Sequence, residues 1–282
     1  MEQTSLENDR PRLPPERSSF PWLEIALAVL LTAGTIYAFY YFRESRESAA
    51  ARPQPSAPAP DSTAGAAPPV RNPLPVPYGD ANLPTLANSD SMMRESLVGL
   101  LGPKAFDELV VANRIIPRIV ATIDNLPRKT APRHLMPLNP APGRFMTARQ
   151  SGTIDPANYR RYAAYLHAMD AVPARSLVWV YFQTYPLFQR AYEELGYSGE
   201  YFNDRLVDAI DDLLATPEVR EARLVQPKVF YEFADPGLES RSAGQKMLLR
   251  MGPENARRVK AKLGEIRAAL AQPAGPPPES AK

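Results

Sequence analysis

From Ile25 to Phe42 the chain carries no charged residue for 18 positions, bounded by Glu24 and Arg43. At 1.5 Å per residue such a stretch reaches about 27 Å as a helix, close to the thickness of a hydrocarbon core. In lipid every backbone N–H and C=O must bond within the segment, so a helix is the one fold open to it. Trp22 stands at one end and Tyr40, Tyr41 and Phe42 at the other, as interfacial aromatics do. A secretory leader would have a shorter apolar region followed by a small-residue cleavage site. Here aromatics and charges follow instead. Residues 21–42 are therefore expected to be an uncleaved, single-pass transmembrane helix behind a polar N-terminal tail, residues 1–20. The alternatives are a cleaved leader and a buried helix.

Orientation is not set by charge. Arg10, Arg12 and Arg17 precede the segment, and Arg43, Arg46 and Arg52 follow it. The short N-terminal tail, the absence of cysteine and the linker that follows favour the N-terminus inside and the rest of the chain outside the cytoplasm. Gly34 and Ala38 form one small-xxx-small spacing, a weak hint of anchor self-association.

The segment after the anchor, residues 43–84, is dominated by Pro, Ala and Ser and reads as a disordered spacer. Residues 272–282 form a second tail of that kind. Between them, residues 85–271 read as a mainly α domain: multi-helix and globular, with one or two short β segments. Gly-Pro pairs at Gly102-Pro103 and Gly252-Pro253 mark helix corners. Pro117 restarts or kinks a helix bearing Ile115, Ile116, Ile119, Val120 and Ile123. Asp155 and Pro156 open another, with Tyr159, Tyr162, Leu166 and Met169 at helical spacing. Val178, Tyr181, Tyr185, Phe188, Tyr192 and Leu195 form an unbroken seam through Pro186, which predicts one kinked helix ended by Gly196. Leu206, Val207, Ile210, Leu213 and Leu214 share a face of the next helix. Strand signals are confined to Arg223–Phe233, with Val229, Tyr231 and Phe233 expected on one side and Pro227 at an edge or break, and to a short hairpin over Arg144–Ile154. Ser242 and Gln245 fit a capping box opening the penultimate helix. In the last helix Ala256, Val259, Leu263, Ile266 and Leu270 form the buried seam, and its many Arg and Lys read as a solvated coat.

Chemistry-bearing patterns are sparse. With no cysteine, thiolate metal sites and a Cys nucleophile are excluded. His134 and His167 lack a second ligand at metal spacing, and no cofactor, phosphate-loop or nucleophile-elbow motif occurs, so no cofactor is expected. A formal net charge of +2 is too small for phosphate-backbone binding, and no nucleic-acid partner is expected. Asp204, Asp208, Asp211 and Asp212 fall on one arc of a helix. They are either a solvated face that docks basic residues or a carboxylate site for a hydrolase. The aromatic seam is core rather than a sugar-stacking platform. The loop Pro127–Gly152 holds Arg128, Lys129, Arg133, Arg144 and Arg149 and no acid. It is the candidate surface for an anion or an acidic partner, the alternative being a strap whose arginines pair with the Asp helix.

Three segments, "DNLPRKTAPRHLMPLNPAPGRF", "YEELGYSGEYFNDRLVDAIDDLLATPE" and the stretch from "LVQPKVFYEF" to "KLGEIRAAL", resemble the bacterial domain-of-unknown-function family numbered 3014. The resemblance covers roughly Leu83–Leu270. It implies a Gram-negative envelope protein with an N-terminal anchor, and supplies no activity and no catalytic residues. The expectation is a single-pass inner-membrane protein whose periplasmic helical domain binds a protein or cell-wall partner.

Overall fold

The computed structural model describes residues 69–75, 82–148 and 150–272, all within one compact unit, Gly65–Lys282. The expected anchor at 21–42, Gly34 and Ala38 included, lies outside the described residues, as do the N-terminal tail, the linker up to residue 68 and residues 273–282. Among the described residues no helix is long and apolar enough to cross a membrane.

The domain is mainly helical, as expected. Its helices are α1 (Asp90–Leu101), α2 (Pro103–Leu109), α3 (Ile115–Asn125), α4 (Ala163–Ala171), α5 (Ala174–Glu194), α6 (Phe202–Leu214), α7 (Pro236–Glu239), α8 (Ala243–Met251) and α9 (Pro253–Leu270). Two two-residue strands, β1 (Leu224–Val225) and β2 (Glu232–Phe233), pair antiparallel with Leu224 opposite Phe233. The main core is built on α5. Its Tyr181, Phe182, Phe188 and Tyr192 meet Phe106 of α2, Ile116 and Val120 of α3, Phe202 and Ile210 of α6, and Leu270 of α9. The seam through Pro186 is one helix, as its periodicity predicts. Proline removes one N–H from the ladder, but ring contacts on both sides of it hold the axis: Tyr181 meets Phe188 edge-on at 5.3 Å, and Phe188 stacks on Phe202 at 5.7 Å. The aromatic segment is thus core. A smaller core of Ile154, Leu224, Phe233 and Leu249 lies under the strands.

Two helix starts follow local chemistry, and a third is set at long range. Asp155 accepts the Ala157 N–H and Ser242 the Gln245 N–H, as their sequences predict. Asp155 opens seven residues of 3-10 helix (Pro156–Tyr162) before α4, where a single α-helix was expected. Asn158 explains the difference: fully buried, it bonds both the N–H and the carbonyl of Met146, and this pins the tighter turn. The third is that of α3. Asp90, at the start of α1, accepts the N–H groups of Arg114 and Ile115 at 2.7 and 2.8 Å. Pro117 then sits in the first turn, where its missing N–H costs nothing.

The two Gly-Pro corners are alike in backbone and unlike in surroundings. Gly102 and Gly252 have φ of 80° and 92° with ψ near 155°, a region essentially restricted to glycine and distinct from the left-handed helical one. A Cβ on Gly102 would meet nothing within 4 Å, whereas one on Gly252 would lie 2.6 Å from the Tyr159 ring.

Two expectations are corrected. Residues 69–75 were assigned to the disordered linker, yet they are docked on the domain: Leu74 packs against the main core, and Arg71 and Asn72 bond to α6. Composition misleads here because a few specific contacts suffice to order a Pro-rich segment that has little backbone entropy to lose. The second concerns Arg223–Phe233. The chain turns back after Pro227, which has no N–H to give a ladder, and Val229 ends 76% exposed while Phe233 is 3% exposed. Val229 and Phe233 therefore do not share a buried side. The hairpin over Arg144–Ile154 is present, with Thr147 bridging Ile154 and Gly152 at φ 64° in the turn.

Candidate functional site

The loop after α3 holds five prolines, Pro127, Pro132, Pro137, Pro140 and Pro142, so it cannot satisfy its carbonyls by forming a ladder with itself. Arginines from the flanking helical segments do so instead. Arg118 of α3 donates to the carbonyls of His134 and Met136. Arg161 donates to those of Pro142, Ala141 and Gly143 at 2.7, 3.2 and 3.1 Å. Tyr165 adds a bond to the Asn139 carbonyl, and the Val111 and Asn139 N–H groups tie the loop to the end of α2. The loop is a fixed strap over α3 and α4.

The five candidate cations of this loop separate into distinct groups. Arg128 points inward. It forms an ion pair with the buried Asp124 at 3.0 Å, and this bond, followed by the charge of Asp124, raises its pKa against the opposing effect of burial. Arg205 of α6 donates to the same carboxylate oxygen as Arg128, at 3.1 Å, and the Tyr197 hydroxyl bonds both Arg128 and Asp124. Arg128 and Arg205 also donate to the Asp124 carbonyl at the end of α3. Arg128 therefore belongs to a structural hub. Lys129, Arg133 and Arg144 are exposed, and none has a side-chain partner among the described residues. Arg149 lies outside the described residues.

Sequence reasoning did not find the hub. Its signal was present: Asp124 stands on the buried side of α3 with Val120 and Ala121, and a lone acid among apolar positions needs a partner.

The four aspartates of α6 are divided among three tasks. Asp204 and Asp208 hold residues 71 and 72. Asp211 pairs with Arg267 of α9. Asp212 accepts from Ser242 and Gln245 at the start of α8, so the expected capping box is half replaced by a tertiary contact. No group of acids or histidines fit to hold a metal ion occurs among the described residues. The basic residues of α9 are likewise anchored rather than merely solvated. Lys260 donates to the Thr216 carbonyl, Lys262 to that of Val172, and Arg258 pairs with Asp170.

Among the described residues the most exposed large apolar side chains are adjacent. At the tip between β1 and β2, Val229 and Phe230 are 76% and 77% exposed, next to Lys228.

The family model described as "Protein of unknown function (DUF3014)" matches residues 115–267, more than half of the chain. The chain belongs to that family. The DUF3014 region opens at the first residue of α3 and ends within α9, so it contains the hub, the strap and the exposed tip. It leaves out α1, α2 and the docked residues 71–74. No curated protein and no solved structure matches the chain.

Proposed function

We propose that this DUF3014 protein is a membrane-anchored interaction protein of the bacterial cell envelope, with its helical domain on the periplasmic side. The observation that carries the reading is the strap. Its backbone is held by Arg118 and Arg161, and on it Lys129, Arg133 and Arg144 are exposed and have no side-chain partner among the described residues. A fixed, acid-free cationic loop loses little conformational entropy on meeting an anionic surface, so it favours a partner with carboxylates or phosphates, either a protein or a cell-wall polymer. The uncharged run at residues 25–42 supports the anchor, and the spacer after it supports a domain held off the bilayer. The alternative, an envelope hydrolase working through the carboxylates of Asp204–Asp212, has lost its support. Each of those carboxylates is engaged in holding another segment.

Photocrosslinkers placed at the exposed neighbours Thr130 and His134 in living cells should capture one defined partner, and reversal of the charges at Lys129, Arg133 and Arg144 should abolish that capture. Unchanged capture by the charge-reversed chain would overturn the interaction reading. Protease reaching the domain only from the cytoplasmic side would overturn the topology.

A further inference from the structure

The start of α6 grips residues 71–74 with groups that read a peptide backbone. Asp204 is 8% exposed. One of its carboxylate oxygens accepts the Arg71 N–H at 3.1 Å. The other accepts both the Asn72 N–H at 2.7 Å and the Asn72 side-chain amide at 2.9 Å. Asn203 donates its amide N–H to the Asn72 carbonyl at 2.8 Å. The orientation of Asn203 is fixed from beneath, because its own oxygen accepts the buried Tyr181 hydroxyl at 3.0 Å. One turn further along, Asp208 takes the Arg71 guanidinium with both oxygens, at 3.0 and 2.7 Å. Beyond Pro73, Leu74 packs against the main core.

Each grip is on a different element of the segment: a guanidinium, an Asn read at its backbone and side chain, and an apolar residue after proline. Two of the receiving groups are buried and pre-oriented, and they bond to backbone polar groups that any extended peptide offers. The segment has no secondary structure partner of its own and lies outside the matched region 115–267. It is held as a ligand is held.

We infer that the α5–α6 corner is a recognition site for an extended peptide of the form Arg-Asn-Pro-apolar, filled in this chain by its own residues 71–74. The inference deepens the reading of the domain as an interaction module, since a second copy of this chain, presenting its own residues 71–74, would compete for the same grips. A segment on a short link is present at an effective concentration in the millimolar range, so occupancy in cis requires an intrinsic Kd at or below about 1 mM.

The test uses the full chain with residues 71–74 replaced by Gly-Ser-Gly-Ser, which removes the guanidinium, the Asn amide, the proline and the Leu74 anchor and so empties the corner, and a fluorescent synthetic peptide of residues 69–75. The emptied chain should bind the peptide saturably with a Kd at or below about 1 mM, and the unaltered chain at least about tenfold more weakly. Asp204→Ala in the emptied chain should abolish binding. Because that variant removes a buried group and could unfold, the peptide itself supplies the second arm: its Asn72→Ala form should bind about tenfold more weakly, the effect of losing one hydrogen bond to a charged acceptor that keeps the backbone N–H. Absence of saturable binding to the emptied chain, or equal binding of the two peptides, would overturn the inference. Either result is separable from the strap reading, which is scored by crosslinking from Thr130 and His134.

Discussion

The Asp124 carboxylate accepts the Nε–H of Arg205 at 3.1 Å, joining α3 to α6 across 81 positions of sequence. The carboxylate side chain is 7% exposed and that of Arg205 is 21% exposed, and Arg128, 47% exposed, pairs with the same carboxylate. A charge buried to this degree is tolerable only while it is paired, and loss of one partner leaves the other desolvated and unmatched.

Asp124→Ala should therefore cost about 2 kcal/mol of domain stability, less than the fully buried case because both arginines reach solvent. Arg128→Ala should cost about 1 kcal/mol or less, given its exposure. Denaturant unfolding of the two variants checks the order.

Reversal of Lys129, Arg133 and Arg144 should leave stability within about 0.5 kcal/mol, since the three touch no partner among the described residues. A melting curve shifted as far as that of Asp124→Ala would mean that the strap depends on them. The contrast with Arg128 matters for any binding assay: loss of binding on changing Arg128 would mix structure with recognition.

Gly252→Ala should be the more harmful of the two corner substitutions. Both glycines occupy a backbone region that costs other residues about 1–3 kcal/mol. Gly252 adds a methyl group 2.6 Å from the Tyr159 ring, while Gly102 faces open space. In a Tyr159→Ala background the excess cost of Gly252→Ala over Gly102→Ala should shrink, which a double-mutant cycle on stability measures.

Asp90→Ala should remove the distant cap of α3 and cost about 1 kcal/mol. Amide exchange should quicken first at Arg114 and Ile115, whose N–H groups it holds. Uniform exchange along α3 would argue against a capping role.

Glu239 gives the strand pair an acid dependence. Burial acts to raise its pKa, but the hydrogen bond from Lys246, the Phe233 N–H and the charges of Lys246 and Arg250 outweigh this and hold it below the ordinary glutamate value. With the folded pKa depressed, the stabilisation is complete above the unfolded value, near 4.3, and is lost as pH falls through the folded one. Protection of the Phe233 amide should decline in that acid window and be unaffected by pH between about 6 and 8. Glu239→Gln should flatten the dependence.

The helical class, the corners at Gly102 and Gly252, the passage of α5 through Pro186 and the caps at Asp155 and Ser242 were all legible in the sequence. Each rests on interactions among residues within a turn or two of one another, where spacing and residue type determine geometry. The partners of the charges were not legible. Arg71 finds Asp208, Arg205 finds Asp124 and Arg267 finds Asp211 only because the helices pack in one arrangement. That packing turned an acidic face into four docking points, bound Arg128 to a buried acid while its neighbours stayed without partners among the described residues, and ordered seven residues that composition places in a spacer. The periodic pattern of apolar residues sets which side of a helix is buried. It carries no information about which distant charge the opposite side will meet, because a Coulombic partner is chosen by distance in space and the sequence records only distance along the chain.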